Sequence, residues 1–437
     1  MSPRSRKDLV LCACWLAIWL PAVAGERQAA ELYEALRGSP RWEAFLRAFP
    51  KGGDLHTHLG GAVPPEKLLE IAAQHGFCVD AKALLVIQNP SGSCPADQTP
   101  ASSIGSGSMI YQRLLDSMSM RGNRGGPEKA HDHFFQAFRL RVPVPGPVLP
   151  DLLEDVVVRA AAQNLGYLEL MIFPFDIPKT AEVTAVLRPE GSLDEWLATL
   201  RGSDVFARYV AAGAETLAAA EKELSARRPA EAAAVARRYL VNVGRTREPP
   251  NVFAQLAATA VLAERDRSVV GVNLVGAEDR PVALRDFRRH LRMIRFLVSR
   301  YPALRVSLHA GELTPRLLGA AGEDSPPPED LTFHIGEAVW DAGAERIGHG
   351  SSLRYERDRN DLLRAMRERG ILVEICLTSE EVILGLKGDD NPFLAYRRAE
   401  VPVSLNTDDE GVLDTDLTRE FLRAARDYNL DYRALKE

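Results

Sequence analysis

The sequence predicts an α/β fold, a (β/α)8 TIM barrel with an N-terminal helical segment and a long insertion after the first strand. Three observations predict it. Eight short apolar or alternating runs recur along the chain, separated by longer amphipathic stretches, as strands alternating with helices require. Polar clusters sit at the ends of five of those runs, where the βα loops of a barrel build an active site. The length of 437 residues, 46% of them apolar, suits one large core with additions.

In chain order, a polar helical segment occupies residues 26–49. The strand candidates are residues 54–56, 167–173, 239–243, 269–274, 305–309, 346–348, 372–375 and 401–405. Ala- and Leu-rich helices fill the intervals, for example 204–227, 252–265, 284–299 and 358–369, and residues 416–429 supply a closing helix. An open, doubly wound sheet is the alternative arrangement of the same elements. Two stretches exceed a minimal barrel. Residues 88–126, rich in Pro, Ser, Gly and Asn, form a partly mobile insertion over the barrel mouth, and residues 319–328, with Pro326-Pro327-Pro328, form a solvated loop. No internal repeat of about 20 to 50 residues is present.

Residues 1–24 stand apart. Arg4, Arg6 and Lys7 precede an apolar run from Leu9 to Leu20, and small residues follow at Ala22 and Ala24, the pattern of a secretory signal peptide. An uncleaved anchor, or a lipoprotein-type cleavage at Leu11-Cys12-Ala13-Cys14, are the other readings. The run is short for a membrane span, and no later stretch has the roughly 18 to 20 apolar residues one needs. The expected product is residues 25–437, a single exported domain, periplasmic or extracellular, with no membrane attachment after cleavage. Cleavage removes three basic residues and one acidic one, taking the net charge from -6 to -8. That balance disfavours nucleic acid, whose phosphates need a basic surface. Of the five cysteines, Cys12 and Cys14 leave with the signal; Cys78 and Cys94 lie where an oxidising compartment would let them close a short loop. Cys376 follows an apolar run and reads as a buried thiol, and no C-x-x-C zinc site exists.

The chemistry lies in Asp54-Leu55-His56-Thr57-His58, Ser307-Leu308-His309-Ala310-Gly311-Glu312, Arg346-Ile347-Gly348-His349-Gly350, Thr378-Ser379-Glu380 and Asn406-Thr407-Asp408-Asp409. Residues i and i+2 of a strand share a side, so His56 and His58 can hold one metal ion. His131-Asp132-His133 repeats the pattern in a helix-like stretch, where i and i+2 diverge, so these two read as a capping or core pair. His75, His290 and His334 lie in helical context and read as structural. His309 and Asp408 would complete a His3Asp set with an open position for water, which a bound divalent ion makes nucleophilic near neutral pH. Glu312 can reach the same cavity as proton donor or acceptor, His349 between two glycines can hold the attacking water, and Asp409 offers a second carboxylate.

Together these motifs resemble the adenosine deaminase family of the metal-dependent amidohydrolases. The resemblance runs from about Phe49 to Val412 and adds Leu274-Val275-Gly276-Ala277-Glu278. It implies a (β/α)8 barrel and one zinc per chain held by His56, His58, His309 and Asp408. It implies that Glu312 protonates the purine N1, that His349 and Asp409 orient the attacking hydroxide, and that Gly276, Asp409 and His58 meet the substrate. Departures concern the sugar. The family's H-x-H-L-[acidic]-G carries a ribose-gripping carboxylate where this chain has Gly60, so the 88–126 insertion would have to compensate. The C-P-x-S segment reads Cys376-Leu377-Thr378-Ser379, and Glu410-Gly411 follows the last motif in place of the more common Pro. These substitutions are closer to secreted adenosine-deaminase-like proteins than to the cytosolic enzymes. The cytidine-deaminase type, which needs a Pro-Cys-x-x-Cys motif, is excluded.

The expected function is therefore zinc-dependent hydrolytic deamination of adenosine, or a related 6-aminopurine nucleoside, to inosine and ammonia. Adenine or another amidohydrolase substrate is the rival within enzymes, and a catalytically silent extracellular nucleoside-binding protein is the rival of another class. The proton-transfer carboxylate Glu312 argues against silence, because a binding module has no need of it.

Overall fold

Eight parallel strands follow one another around a barrel: β1 (Gly53–His58), β5 (Tyr167–Ile172), β6 (Ala236–Gly244), β7 (Val269–Val275), β8 (Arg305–Ala310), β9 (Arg346–His349), β10 (Leu372–Ile375) and β11 (Val403–Leu405). The computed structural model describes residues 25–89, 92–121, 123, 127–141, 147–176, 179–319 and 328–437. Residues 1–24, expected to be a signal peptide, and most of the 319–328 loop lie outside the described residues.

Each strand pairs in parallel with the next. The ring closes between β11 and β1 through one bridge, Thr57 to Asp408, where His58 N donates to Asp408 O (2.8 Å) and Asp408 N to His56 O (2.9 Å). The weakest seam of the barrel therefore runs between two proposed metal ligands. Near-continuous apolar runs such as Tyr-Leu-Glu-Leu-Met-Ile in β5 suit strands covered on both faces. Helices start and stop on local signals. Ser192 and Glu195 form a capping box ahead of Leu193–Arg201, Pro249 and Pro281 open Pro249–Arg265 and Pro281–Val298, and Gly370 (φ +66°) ends Arg359–Arg369.

Strand ends differ from the sequence expectation by a few residues, and the doubly wound alternative is excluded by closure of the sheet. The expected single helical segment at 26–49 is two helices, Glu26–Leu36 and Trp42–Ala48. Gly38 at φ +71° turns the chain between them, and the Pro40 that follows prevents a straight continuation.

The insertion also differs from expectation. It begins earlier than residue 88, with a three-stranded antiparallel sheet of β2 (Cys78–Asp80), β3 (Leu85–Ile87) and β4 (Thr99–Pro100), pinned by a Cys78–Cys94 disulfide. The turn Ala101–Ser103 that follows it packs on helix Pro65–Gln74, with Ala101 N donating to Phe77 O (2.8 Å), and β3 touches helix Pro127–Leu140. What covers the mouth is the later part. Met120 N donates to Val412 O (2.7 Å), and Phe134 and Ala137 of helix Pro127–Leu140 join Ile383, Leu384, Val412 and Leu413 in a separate apolar cluster. Those four partners lie in the loops after β10 and β11, so the roof is held to the barrel by burial of apolar surface.

Candidate metal centre and reaction site

The proposed ligands converge because strand geometry and barrel closure direct them to one end. His56 and His58 project from β1, His309 from β8, and Asp408 from the turn after β11; one ligand atom of each lies within 4.8 Å of the others. His58 Nε2 and His309 Nε2 face each other at 3.2 Å, and Asp408 Oδ1 lies 3.4 Å from both His56 Nε2 and His58 Nε2. His56 Nε2 is buried without a hydrogen-bond partner. Three imidazole nitrogens and a carboxylate oxygen aimed at one point fit a tetrahedral or open N3O cation.

The far sides of the rings set their tautomers. His56 Nδ1 donates to Glu374 Oε2 (2.7 Å), and His309 Nδ1 to Asn273 Oδ1 (2.7 Å), which leaves each Nε2 lone pair free for a metal. Glu374 is itself held by Ser307 Oγ (3.0 Å) and Arg346 Nε (2.6 Å). Ser379 Oγ donates to Asp408 Oδ2 (2.6 Å) and fixes that carboxylate. Burial opposes charge on His56, but Asp408 and Glu374 outweigh it and raise its pKa to about 10. Burial lowers His58 to about 4 and holds His309 well below its ordinary value. Asp408 and Glu374 thus favour positive charge at His56, which a bound cation would supply in place of that proton, while burial keeps His58 and His309 neutral with lone pairs available.

Glu312 and His349 border this centre. His349 Nε2 lies 3.6 Å from Glu312 Oε1 and its Nδ1 lies 3.5 Å from Glu380 Oε1, so the ring bridges two carboxylates. Burial raises the Glu312 pKa, partly offset by His349, and a raised carboxyl suits a proton donor. Burial works against charge on His349, and Glu312 and Glu380 overcome it, raising its pKa. His349 (φ +63°) and Asp408 (φ +59°) both adopt left-handed backbone, a strained conformation that the surrounding strands impose and that aims the side chains inward. Burial, followed by the neighbouring Asp408, raises the Asp409 pKa well above the ordinary value. Gly276, exposed at the end of β7 with φ +96°, presents its backbone where a side chain would be strained. A Cβ at Gly60 would meet no atom within 4 Å, so the position of the missing carboxylate is open space.

Sequence reasoning missed several contributors. Glu374 and Asn273 lie inside the apolar runs of β10 and β7, and a polar residue in such a run signals a buried partner. Glu278 cradles Glu312: its carboxylate accepts from Glu312 N (2.7 Å) and Gly311 N (3.2 Å) and pairs with His334 Nδ1 (2.7 Å) and Arg245 (3.4 Å). Arg141, buried below the roof, donates to Met118 O (2.5 Å) and Gly60 O (2.8 Å), tying the insertion to the turn after β1. Nothing local in the sequence announces that contact. His133 Nε2 donates to Ser119 O (2.9 Å) within the insertion, and His131 is buried against Phe135, as the capping-or-core reading of this pair expects, with its Nε2 3.4 Å from Asp279 Oδ1. Cys376 is a buried free thiol.

A family model described as adenosine deaminase matches residues 149–437, which include His309, Glu312, His349, Asp408 and Asp409. An aminodeoxyfutalosine deaminase from Streptomyces coelicolor is 38% identical over 118 residues, 27% of this chain and 28% of that protein. An adenosine deaminase from Enterococcus faecalis is 38% identical over 116 residues, 24% of this chain and 34% of that protein. The chain thus spans about a third of the length of these curated relatives. Among solved structures, the N6-methyl-AMP deaminase from Arabidopsis thaliana superposes with a TM-score of 0.56 at 20% identity, covering 90% of each chain. That likeness concerns the barrel fold.

Proposed function

The chain belongs to the adenosine deaminase family, and from that premise we propose that it is a zinc-dependent aminohydrolase converting adenosine, or a close 6-aminopurine nucleoside, to the inosine-type product and ammonia. The observation that carries this reading is the convergence of His56, His58, His309 and Asp408 beside Glu312 and His349. A metal ion bound there supplies Lewis acidity and makes water nucleophilic near neutral pH.

The chain's own residues do the rest. Glu312 holds a proton against the purine N1 and delivers it as water adds at C6, so negative charge does not build on the ring. His349, set between Glu312 and Glu380, holds the attacking water, and Asp409 orients it against C6. Asp409 takes the proton that water loses on attack and passes it to the amino nitrogen; the C6–N bond breaks, ammonia leaves, and the C6 hydroxyl proton returns to Glu312 as the carbonyl forms. Gly276 meets the base through its backbone. The roof formed by helix Pro127–Leu140 excludes bulk water and strengthens each of these contacts.

Export fits the same picture: the apolar leader and the Cys78–Cys94 disulfide both suit an oxidising compartment. The test is direct. The purified protein should carry about one zinc and shift the ultraviolet spectrum of adenosine toward that of inosine. If adenine is turned over and adenosine is not, the nucleoside assignment fails and a base deaminase replaces it; metal with no turnover of any 6-aminopurine leaves the silent binding protein.

A further inference from the structure

The loop after β7 carries three consecutive site functions. Gly276 opens it, Glu278 holds the backbone of Glu312, and Asp279 reaches the insertion, where its Oδ1 lies 3.4 Å from His131 Nε2. His131 is 4% exposed and stacks edgewise on Phe135 (ring centroids 4.9 Å apart), so helix Pro127–Leu140 fixes the ring. Glu312 is close enough for its charge to favour the His131 imidazolium. Asp279 directly follows Glu278, so the pair lies beside the loop that holds the backbone of Glu312.

We propose that His131 and Asp279 form the sugar-binding contact of this site, taking the hydroxyls of a neutral nucleoside; this rests on the nucleoside reading above. Two observations separate it from a purely structural pair. Asp279 Oδ1 is buried without a well-formed hydrogen bond, and the His131 nitrogens stand off at 3.4 Å from it and 3.5 Å from Asp132 Oδ1, longer than a normal hydrogen bond. A buried polar atom left in that condition is expected to have a partner supplied from elsewhere. The turn after β1, where the family's carboxylate would stand, has open space at Gly60. Together the carboxylate and the imidazole offer a sugar hydroxyl one acceptor and one donor, replacing what Gly60 lacks.

Charge selects the class of sugar. Asp279 and Asp132 flank His131, the charge of Glu312 also acts on it, and Arg280 pairs with Asp132 at 3.4 Å. A phosphate there would face more negative than positive charge, whereas a neutral hydroxyl meets no such barrier.

Calorimetric binding of inosine, hypoxanthine and inosine 5′-monophosphate to the zinc-loaded full chain tests the assignment, using the parent, Asp279→Asn and His131→Ala. In both variants the Kd for inosine should rise about tenfold or more, while hypoxanthine binding stays unchanged, as expected for loss of a hydrogen bond to a charged acceptor. Unchanged inosine affinity in Asp279→Asn, or a parallel loss of inosine and hypoxanthine, would overturn it. Tighter binding of the monophosphate than of inosine by the parent would overturn the neutral-hydroxyl assignment. A parent that binds hypoxanthine but not inosine refutes the nucleoside reading itself, a result that is distinct because it appears without any substitution.

Discussion

His56 and Glu374 are 318 residues apart in sequence, and His56 Nδ1 donates to Glu374 Oε2 at 2.7 Å inside a fully buried pair. The carboxylate holds the ring in the tautomer whose Nε2 faces the proposed cation, and Arg346 and Ser307 hold the carboxylate in turn. The metal centre is therefore a property of β1, β8, β9 and β10 acting together.

Glu374→Gln should lower zinc affinity roughly 10- to 100-fold, because the glutamine no longer orients and polarises His56. Asp408→Ala should go further and strip the metal, since it deletes a ligand. Elemental analysis after dialysis against a graded chelator decides, and full zinc occupancy in the Asp408 variant would refute the ligand assignment.

Glu312→Gln keeps the shape and the backbone bonds to Glu278 but removes the acidic proton. It should retain zinc and lose about 10²-fold or more in kcat. His349→Ala should also lower kcat with metal content largely intact. A normal kcat in the zinc-loaded Glu312 variant would end its role as proton donor.

Gly348→Ala should disturb the metal site without touching a ligand directly. A Cβ there would stand 2.7 Å from His56 Cε1 and 3.1 Å from His56 Nδ1, and any shift of the ring would disturb the Nδ1 bond to Glu374. We expect a cost on the order of 1–3 kcal/mol in stability together with weaker zinc binding. Thermal unfolding with and without added zinc measures both effects, and a parent-like variant would show that the ring has more freedom than the packing indicates.

Gly60→Asp should be tolerated, since its Cβ meets nothing within 4 Å. A carboxylate accepting a sugar hydroxyl is worth about 1.5–3 kcal/mol, so KM for adenosine should fall about tenfold or more while adenine turnover stays the same. Steady-state kinetics on both substrates provide the check; a change common to both would mean the new side chain does not act on the sugar.

Glu278 links pH to stability. Burial would raise its pKa, but Arg245 and His334 win and hold it at about 2, below the ordinary 4.5. A carboxylate with a depressed folded pKa stabilises the fold above its unfolded pKa and loses that contribution as pH falls toward the folded value. The stability gap between the parent and Glu278→Gln should therefore be widest near neutrality and narrow between about pH 4.5 and 2. Urea midpoints measured across that range test it, and a gap independent of pH would place the effect in packing instead of charge.

How much of this was legible beforehand follows from the range over which each interaction acts. The H-x-H of β1, the glycine-flanked His349 and the Glu312 beyond Gly311 are local patterns, since strand alternation and the convergence of barrel strand ends suffice to bring them together. Glu374 and Asn273 left only the faint sign of a polar residue in an apolar run. The split of the N-terminal segment at Gly38 was written in turn residues yet read as one helix.

Hydrophobic periodicity and residue type, which act within a few positions along the chain, point to the eight strands, the four proposed ligands and the acid beside them, whereas it took closure of the sheet to separate the barrel from a doubly wound arrangement. Only the tertiary structure decided which partners orient those ligands, that the part of the insertion over the mouth is Met120 and helix Pro127–Leu140, and that His131 turns toward Asp279. Those relationships join residues up to hundreds of positions apart, and they are settled by packing and by the need of each buried polar atom for a partner, neither of which has a period that a sequence can display.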